Sequence, residues 1–151
     1  MPSFKGEYEH SIDNKGRVSF PAKLRKAVNP EAQDRFTLLR GLEKCLYLYP
    51  EDKWQKVEQQ LSEINPYSRK GRTVIRTFLR SAHDITLDNQ NRIALPSRLS
   101  EWANISDKAV FIGSIDRVEI WDPDQLAKVD ADLSMEDYQE LFENVMADVQ
   151  L

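Results

Sequence analysis

The chain contains the stretch DNKGRVSFPAKL at residues 13–24 and repeats it as DNQNRIALPSRL at residues 88–99. The two copies are offset by 75 positions, five of the twelve pairs are identical, and three more are conservative. A second echo follows each copy, with FTLLRG before LYLY in the first half and AVFIG before VEIW in the second, at an offset of 72. Self-similarity of this kind indicates an internally duplicated fold.

Each copy opens with residues that favour a tight turn between two β-strands. Asp13 and Asp88 occupy the first turn position, where a carboxylate accepts hydrogen bonds from backbone amides two residues further on. Gly16 stands where a three-residue hairpin loop needs positive φ, and its counterpart Asn91 is the non-glycine residue that tolerates positive φ best. These four residues are therefore predicted to form the turns.

The residues after each turn predict a strand and then a short helix. Apolar and polar side chains alternate there with the period of a half-buried strand. Pro21 and Pro96 end these strands and suit the first turn of helices over residues 22–28 and 97–103. Each half is thus predicted to run strand, turn, strand, short helix, strand, glycine turn, strand.

Helical spacing of apolar residues predicts three longer helices. The first covers residues 50–64 and the second about 67–82, where basic residues line a face beside the apolar stripe. Gly71 is unfavourable in the first turn of the second helix. The third begins at a capping box at 134–137 and is acidic and amphipathic, so we expect it to pack on the body or on a neighbouring subunit.

The predicted fold class is α+β, mostly β with helices. At 151 residues and 40% hydrophobic content, the chain can bury a real core. We divide the chain into a first β unit at 4–54, linking helices at 55–82, a second β unit at 83–126 and an acidic C-terminal helix at 127–151.

Charge is distributed unevenly along the chain. The net charge is -4, but residues 121–151 hold nine acids against Lys128 alone, while the other 120 residues carry 20 bases and 16 acids. A basic body with an acidic tail is compatible with binding a polyanion through one face, although a charge run is more often a solvated face. Residues 66–82 contain five bases and no acid, namely Arg69, Lys70, Arg72, Arg76 and Arg80. We expect these bases to pair with the acidic C-terminal helix of the same or an adjacent subunit rather than to contact that polyanion.

Composition argues against a membrane, secreted or metal-dependent protein. No run of 18 apolar residues occurs and the N-terminal residues lack the apolar stretch of a signal peptide, so we expect a cytosolic protein. Cys45 is the only cysteine and is expected to be a buried apolar residue. His10, His83 and Cys45 have no metal-ligand spacing, and we expect no metal, cofactor or small-molecule substrate.

The duplication raises one enzymatic alternative, because two related β units that each offer an aspartate suggest the carboxylate dyad of aspartic proteases. That chemistry needs Asp-Ser/Thr-Gly in an apolar cleft, whereas Asp13 and Asp88 are followed by Asn, polar residues and Arg. No phosphate-cradling glycine loop is present in the sequence. We therefore predict a protein that has no catalytic residues.

The motif at 13–21 resembles the D-x-K-G-R-hydrophobic-x-hydrophobic-P signature of MraZ proteins, and residues 88–96 with VEIW at 118–121 are similar to that family's second half. The resemblance extends from residue 4 to about residue 126. It implies two AbrB-like swapped-hairpin β units that interlace as an intrachain pseudo-dimer. It also implies a ring-shaped homo-oligomer, associated with the nucleoid, that binds double-stranded DNA sequence-specifically near the promoter of the cell division and cell wall gene cluster. Because one hairpin offers few contacts, we expect binding to direct repeats in that promoter.

The resemblance carries the family's DNA-contacting turn onto Lys15 and Arg17 in the first copy and onto Arg92 in the second. Arginine can donate two hydrogen bonds to guanine in the major groove, and lysine suits phosphate. Asn14 and Gln90 are further candidates for contacts with base edges. Because Gln90 replaces the lysine in the second copy, we expect the first turn to be the main contact.

Two alternatives stay open on these residues. Each arginine also has the spacing to pair structurally with the turn aspartate four residues earlier. The whole protein could instead be an oligomeric protein-interaction scaffold with incidental DNA binding, which the salt dependence of binding would distinguish. Single-copy AbrB-type regulators and antitoxins are also similar, but the internal duplication disfavours them.

Overall fold

The computed structural model describes residues 3–149 as eight strands, six α-helices and one 3₁₀ turn. The strands are β1 (Glu7–Ser11), β2 (Arg17–Ser19), β3 (Arg35–Arg40), β4 (Leu46–Pro50), β5 (His83–Thr86), β6 (Arg92–Ala94), β7 (Lys108–Ser114) and β8 (Arg117–Trp121). The helices are α1 (Ala22–Arg25), α2 (Glu51–Ser62), α3 (Arg69–Leu79), α4 (Ser97–Trp102), α5 (Pro123–Ala131) and α6 (Met135–Met146), and the 3₁₀ turn is Pro30–Ala32.

Strands from the two halves are interleaved in both sheets. A six-stranded antiparallel sheet has the order β1-β7-β8-β4-β3-β5, and β2 pairs antiparallel with β6 in a second, two-stranded sheet. β1 of the first half therefore pairs with β7 of the second, and β5 of the second half pairs with β3 of the first. This arrangement confirms the predicted α+β fold with swapped hairpins. No helix among residues 3–149 is long and apolar enough to cross a membrane.

A pseudo-twofold axis relates the two halves. Val18 opposes Ile93 in the β2–β6 pair, and Tyr47 opposes Glu119 in the β4–β8 pair. The members of each pair are also counterparts in the sequence repeat, at offsets of 75 and 72. The axis therefore passes through both pairs, as expected for a pseudo-dimer within one chain.

The strand registers correct one detail of the repeat. Leu38 pairs with His83, and Phe111 pairs with Tyr8, so Leu38 and Phe111 are counterparts at an offset of 73. The offset of 72 holds for β4 and β8 but is wrong by one for β3 and β7. The physical reason is that the connection from β3 to β4 is one residue longer than the connection from β7 to β8.

The main core lies between the two-stranded sheet and one face of the large sheet. Val18 and Ile93 are almost completely buried there. The ring centroid of Phe20 lies 5.4 Å from that of Phe36 and 6.1 Å from that of Phe111. Burial of these side chains fixes the strands that carry the turns to the rest of the molecule.

A second cluster covers the opposite face of the large sheet. It joins Tyr47, Tyr49 and Trp121 of the strands to Trp54 of α2, and side chains of α3 and α5 pack against it. All five residues of β4 are buried because apolar layers cover both faces of that strand. The observed bounds of α2 and α3 lie within the ranges that the apolar spacing predicts.

The short helices are shorter than expected. α1 ends at Arg25 instead of residue 28, because Ala27 and Val28 donate to carbonyls only three residues back. α4 ends one residue before the predicted end. Pro21 and Pro96 are the N-cap residues of these helices rather than members of their first turns.

A glycine is needed at position 71, in the first turn of α3, because the chain around Ile64 and Asn65 approaches it closely. An added Cβ there would lie 2.7 Å from Ile64 Cγ2 and 2.8 Å from the carbonyl oxygen of Asn65. Glycine therefore allows α3 to pack closely against the end of the preceding helical segment, which offsets its low helix propensity.

The acidic C-terminal region contains two helices, so the prediction of a single helix from residue 127 is wrong. Asp122 caps α5 by accepting from the Gln125 N–H at 3.1 Å. Ser134 caps α6 by accepting from the Asp137 N–H at 3.0 Å, which confirms the predicted helix start. α5 and α6 follow β8 as α2 and α3 follow β4, so they form the second copy of the linking helix pair.

Candidate nucleic-acid interface

The first turn is closed by hydrogen bonds to Asp13. The Gly16 N–H donates to the Asp13 carbonyl at 3.0 Å, and the Asp13 N–H donates to the Arg17 carbonyl at 2.9 Å. Asp13 Oδ1 also accepts from the N–H groups of Lys15 and Arg17, each at 2.9 Å. Gly16 has a φ of +75°, the left-handed conformation that this loop requires.

The second turn reproduces this geometry with different residues. Asp88 Oδ1 accepts from the N–H groups of Gln90 at 2.8 Å and Arg92 at 2.9 Å. The Asn91 N–H donates to the Asp88 carbonyl at 2.9 Å, and Asn91 has a φ of +58°. The two turns are thus equivalent in backbone shape, while Gln90 and Lys15 differ in charge.

Each turn is hydrogen-bonded to the strand of the other copy. The Leu95 N–H donates to the Gly16 carbonyl at 2.9 Å, and the Phe20 N–H donates to the Asn91 carbonyl at 2.9 Å. These reciprocal bonds extend the β2–β6 ladder up to the turns. The structure therefore holds both turns as parts of a single surface.

Arg17 and Arg92 lie on the outer face of the two-stranded sheet. The residues that follow them, Val18 and Ile93, face the core, and successive side chains of a strand point to opposite faces. Arg17 Nε donates to Asp13 Oδ2 at 2.8 Å, and Arg92 Nε donates to Asp88 Oδ2 at 2.9 Å. Arg92 Nη1 also lies 3.8 Å from Asp13 Oδ2. The structural pairing considered as an alternative is therefore present.

Pairing through Nε leaves the outer end of the Arg17 guanidinium available. The Arg17 side chain is 32% exposed and the Arg92 side chain is 24% exposed. Within residues 3–149, the side-chain hydrogen bonds of Arg17 use Nε alone. A guanidinium fixed at Nε loses less conformational freedom when its Nη groups bind a ligand.

The two aspartates are stabilised in their charged form. The backbone N–H of Arg17, followed by the Arg17 side chain and the Lys15 N–H, lowers the pKa of Asp13 below its ordinary value against an opposing effect of desolvation. The backbone N–H groups of Arg92 and Gln90 do the same for the pKa of Asp88. Two charged aspartates and two arginines have no net charge, so other residues must supply the positive field of this surface.

The exposed positions of the surface differ between the turns. Asn14 and Lys15 are exposed in the first turn, as Gln90 is in the second. Lys15 forms no ion pair with any residue in the described part of the chain. Its ammonium is therefore free to meet an anion such as a phosphate.

Sequence reasoning missed two further cations beside the turns. Because β2 runs from its own turn towards the other copy's turn, exposed Lys23 at the start of α1 lies beside the second turn. Exposed Arg98 lies beside the first turn, where the neighbouring Ser97 lines the same depression as Lys15. Lys23 and Arg98 are counterparts at an offset of 75, so the repeat itself could have identified them.

The bases of α3 do not form the ion pairs expected with the acidic C-terminal helix of the same chain. Among residues 3–149, no ion pair involves an α3 base, and Arg72 Nη1 donates instead to the Pro66 carbonyl at 3.0 Å. The residues from Met135 to Val145 are all exposed, and pairing of the α3 bases with the acidic helix of an adjacent subunit, the other half of the expectation, stays a prediction.

Cys45 is completely buried beside Tyr47, which confirms its predicted role as a small apolar residue. Burial raises the pKa of its thiol to about 12. The described residues contain no group of three or more His, Cys, Asp or Glu side chains that could hold a metal ion.

The fold and site together define an internally duplicated, swapped-hairpin protein with two turns on one surface, each carrying an arginine held by an aspartate. The chain belongs to the MraZ family, because a family model described as "MraZ protein, putative antitoxin-like" matches it twice, at residues 3–76 and 78–148. The second match extends well beyond residue 126, the last residue covered by the motif resemblance. The C-terminal helices are therefore part of the second family unit.

Individual relatives cover most of the chain. A protein named "Transcriptional regulator MraZ" from Halothermothrix orenii is 41% identical over 118 residues, which is 78% of this chain and 80% of the relative. Proteins of the same name are 39% identical in Alkaliphilus metalliredigens, over 87% of this chain and 90% of the relative, and 36% identical in Desulforamulus reducens, over 95% and 97%.

Proposed function

We propose that this protein is a sequence-specific DNA-binding transcriptional regulator that contacts DNA through its two hairpin turns. The shared name of the relatives supports a role in transcription regulation. The observation that carries the proposal is the pair of turns, each with an arginine fixed by an aspartate at Nε and directed outward. The proposed role requires no catalytic residue and no cofactor.

In this mechanism the arginines read bases and the lysine positions the protein. Arg17 and Arg92 present Nη groups that can donate to guanine O6 and N7, which discriminates between bases by about 1 to 3 kcal/mol. Lys15 binds a backbone phosphate, and Asn14 and Gln90 are placed to meet base edges or sugars. The aspartates are positioning residues, because they fix the guanidinium planes before DNA arrives.

The target that we propose follows from the family resemblance. It is a set of direct repeats in the promoter of the cell division and cell wall gene cluster, bound by a ring-shaped homo-oligomer on the nucleoid. Two turns per chain offer few contacts, so useful affinity requires several chains on neighbouring repeats. Tethering within an oligomer supplies this through a high effective concentration of turns.

The test compares the wild-type protein with Arg17→Ala and with Arg80→Ala, on a promoter fragment with repeats and on a scrambled fragment. Arg80 is exposed at the end of α3 and provides a control that removes the same charge elsewhere. We expect Arg17→Ala to weaken binding to the repeats by roughly 5- to 150-fold while Arg80→Ala leaves it nearly unchanged. Equal binding to both fragments by the wild type, or equal losses in both variants, would refute readout by the turns.

A second candidate function is an oligomeric protein-interaction scaffold. The observation that favours it is the exposed apolar face of α6, which includes Tyr138, Leu141 and Phe142. Phosphate-mediated DNA binding weakens steeply as salt rises, whereas an apolar protein interface does not. Loss of DNA binding between about 50 and 200 mM salt with unchanged oligomer mass would favour the regulator.

A further inference from the structure

The C-terminal helix α6 has an apolar face that remains uncovered. Its exposed apolar side chains keep between 48% and 79% of their surface, namely Met135, Tyr138, Leu141, Phe142 and Val145. The last four follow the i, i+3, i+4, i+7 spacing of a helix face, so they lie on one side of the helix. A 12-residue helix is only marginally stable in water without a packing partner, so this face requires one.

An apolar groove of matching character lies elsewhere on the molecule. It has a volume of about 530 Å³ and is lined by Leu61 of α2, Val74 and Phe78 of α3, Trp102 of α4 and Leu42 after β3. Leu42 is 86% exposed and Val74 is 53% exposed, although both side chains are large and apolar. An uncovered apolar surface of this kind marks an interaction site.

The groove and the helix carry opposite charge. α3, one face of which lines the groove, carries four bases, and residues 66–82 contain no acid. Arg40 and Lys44 flank it, with their charged groups 5.2 and 4.7 Å from the centroid of the Trp102 ring. α6 carries four acids and no base, namely Glu136, Asp137, Glu140 and Glu143. Electrostatic complementarity therefore favours α6 over a neutral or basic segment.

The occupant is a second copy of the chain. No residue of α6 lines the groove of its own chain, and the depression beside Tyr138 and Phe142 is lined by α6 residues alone. Among the described residues, neither the α3 bases nor the α6 acids have an ion-pair partner. Each copy thus has one unused apolar helix and one unused groove of opposite charge.

We propose that α6 of one copy docks into the groove between α2, α3 and α4 of the next copy. Because helix and groove are different surfaces, the contact is head-to-tail, and repetition of it produces a closed ring or an open filament. The inference rests on the homo-oligomeric part of the proposed function and is independent of DNA binding.

Two exposed residues provide the test, Val74→Asp in the groove and Leu141→Asp on α6. Ile115→Asp, at an exposed apolar position in the β7–β8 connection, is the matched control. Sedimentation velocity without DNA measures the mass of each variant, and circular dichroism verifies that each is folded. We expect the wild type and Ile115→Asp to form multiples of 17.6 kDa, and both interface variants to sediment as single chains.

Mixing the two interface variants gives the decisive result. The Leu141→Asp chain keeps an intact groove and the Val74→Asp chain keeps an intact α6, so an equimolar mixture should form a species of two chains and no larger one. Assembly of Val74→Asp but not Leu141→Asp would show that α6 pairs with itself and would overturn the proposal. Assembly of both variants, or a monomeric wild type, would also overturn it. DNA binding measured on the same samples distinguishes failure of this docking from failure of the regulator proposal.

Discussion

Replacing Lys15 by Gln should reduce the salt dependence of DNA binding by the equivalent of one phosphate contact per bound turn. Lys15 is exposed, and no ion pair within residues 3–149 engages it. One neutralised phosphate contributes about 0.9 to the slope of log K against log salt. With equal binding of variant and wild type at about 1 M salt as the reference, the variant therefore binds about fourfold more weakly at about 0.2 M salt.

The repeat provides a reciprocal variant and a matched control. The pseudo-twofold axis places Gln90 where the first turn has Lys15, so Gln90→Lys should raise the slope by about the same 0.9. Lys128→Gln also changes the net charge from -4 to -5, but this exposed residue lies on the acidic helix α5. Its slope should equal that of the wild type.

The assay is fluorescence anisotropy on a labelled promoter fragment containing one box, titrated at several salt concentrations between about 50 and 200 mM. Equal changes in slope for Lys15→Gln and Lys128→Gln would show that only total charge matters. A loss of affinity in Lys15→Gln without a change of slope would show that Lys15 does not bind phosphate. Either result would refute the assignment.

Three further predictions concern the stability and chemistry of the chain. Gly16→Ala should lower the free energy of unfolding in urea by about 1 kcal/mol because of positive φ, and Gly16→Asn should cost clearly less; equal costs would contradict the strain argument. Because the folded pKa of Asp13 is lowered, its contribution to stability should be complete above roughly pH 3.9 and lost as the pH falls through that lowered pKa. The difference in urea stability between wild type and Asp13→Asn should therefore shrink at acidic pH, and a constant difference would exclude the carboxylate as its cause. Cys45 should react with a thiol reagent only at the rate of unfolding, since burial raises its pKa to about 12, and rapid labelling of the native protein would disprove its burial.

The turns and their strands were predictable because each depends on local chemistry. An aspartate that accepts from amides two and four residues on, together with a residue suited to positive φ, specifies the same loop in both copies. Burial of Val18 and Ile93 follows from the alternation of apolar and polar residues. Local rules of this kind require no knowledge of what the strands pair with.

Features that depend on distant pairing were harder to predict. The repeat offset between β3 and β7 was wrong by one because it was set by aligning the glycines at the ends of these two strands. That alignment ignores that the connection from β3 to β4 is one residue longer than the connection from β7 to β8. Lys23 and Arg98 were missed because each lies beside the other copy's turn, which only the swapped pairing reveals. α5 was missed because Leu126 and Val129 give it a weak apolar repeat.

The sequence also did not decide which chain the acidic helix α6 contacts, or whether the arginines form ion pairs or base contacts. Both questions depend on the positions of residues in space. Opposite charges on α3 and α6 indicate attraction, but they do not show whether the two helices belong to one chain or to two. The spacing of Asp13 and Arg17 fits both an ion pair and a base contact. The Nε bond confirms the ion pair and leaves the Nη groups of Arg17 for the proposed base contact.

Joining the two half-units in one chain allows them to evolve independently. In a dimer of identical half-units, every substitution would appear in both turns, and the matching DNA site would be a palindrome. Here one turn holds Lys15 and Gly16, whereas the other holds Gln90 and Asn91. The two ends of this surface therefore differ, so in the proposed DNA complex a row of chains would read boxes that all point in the same direction.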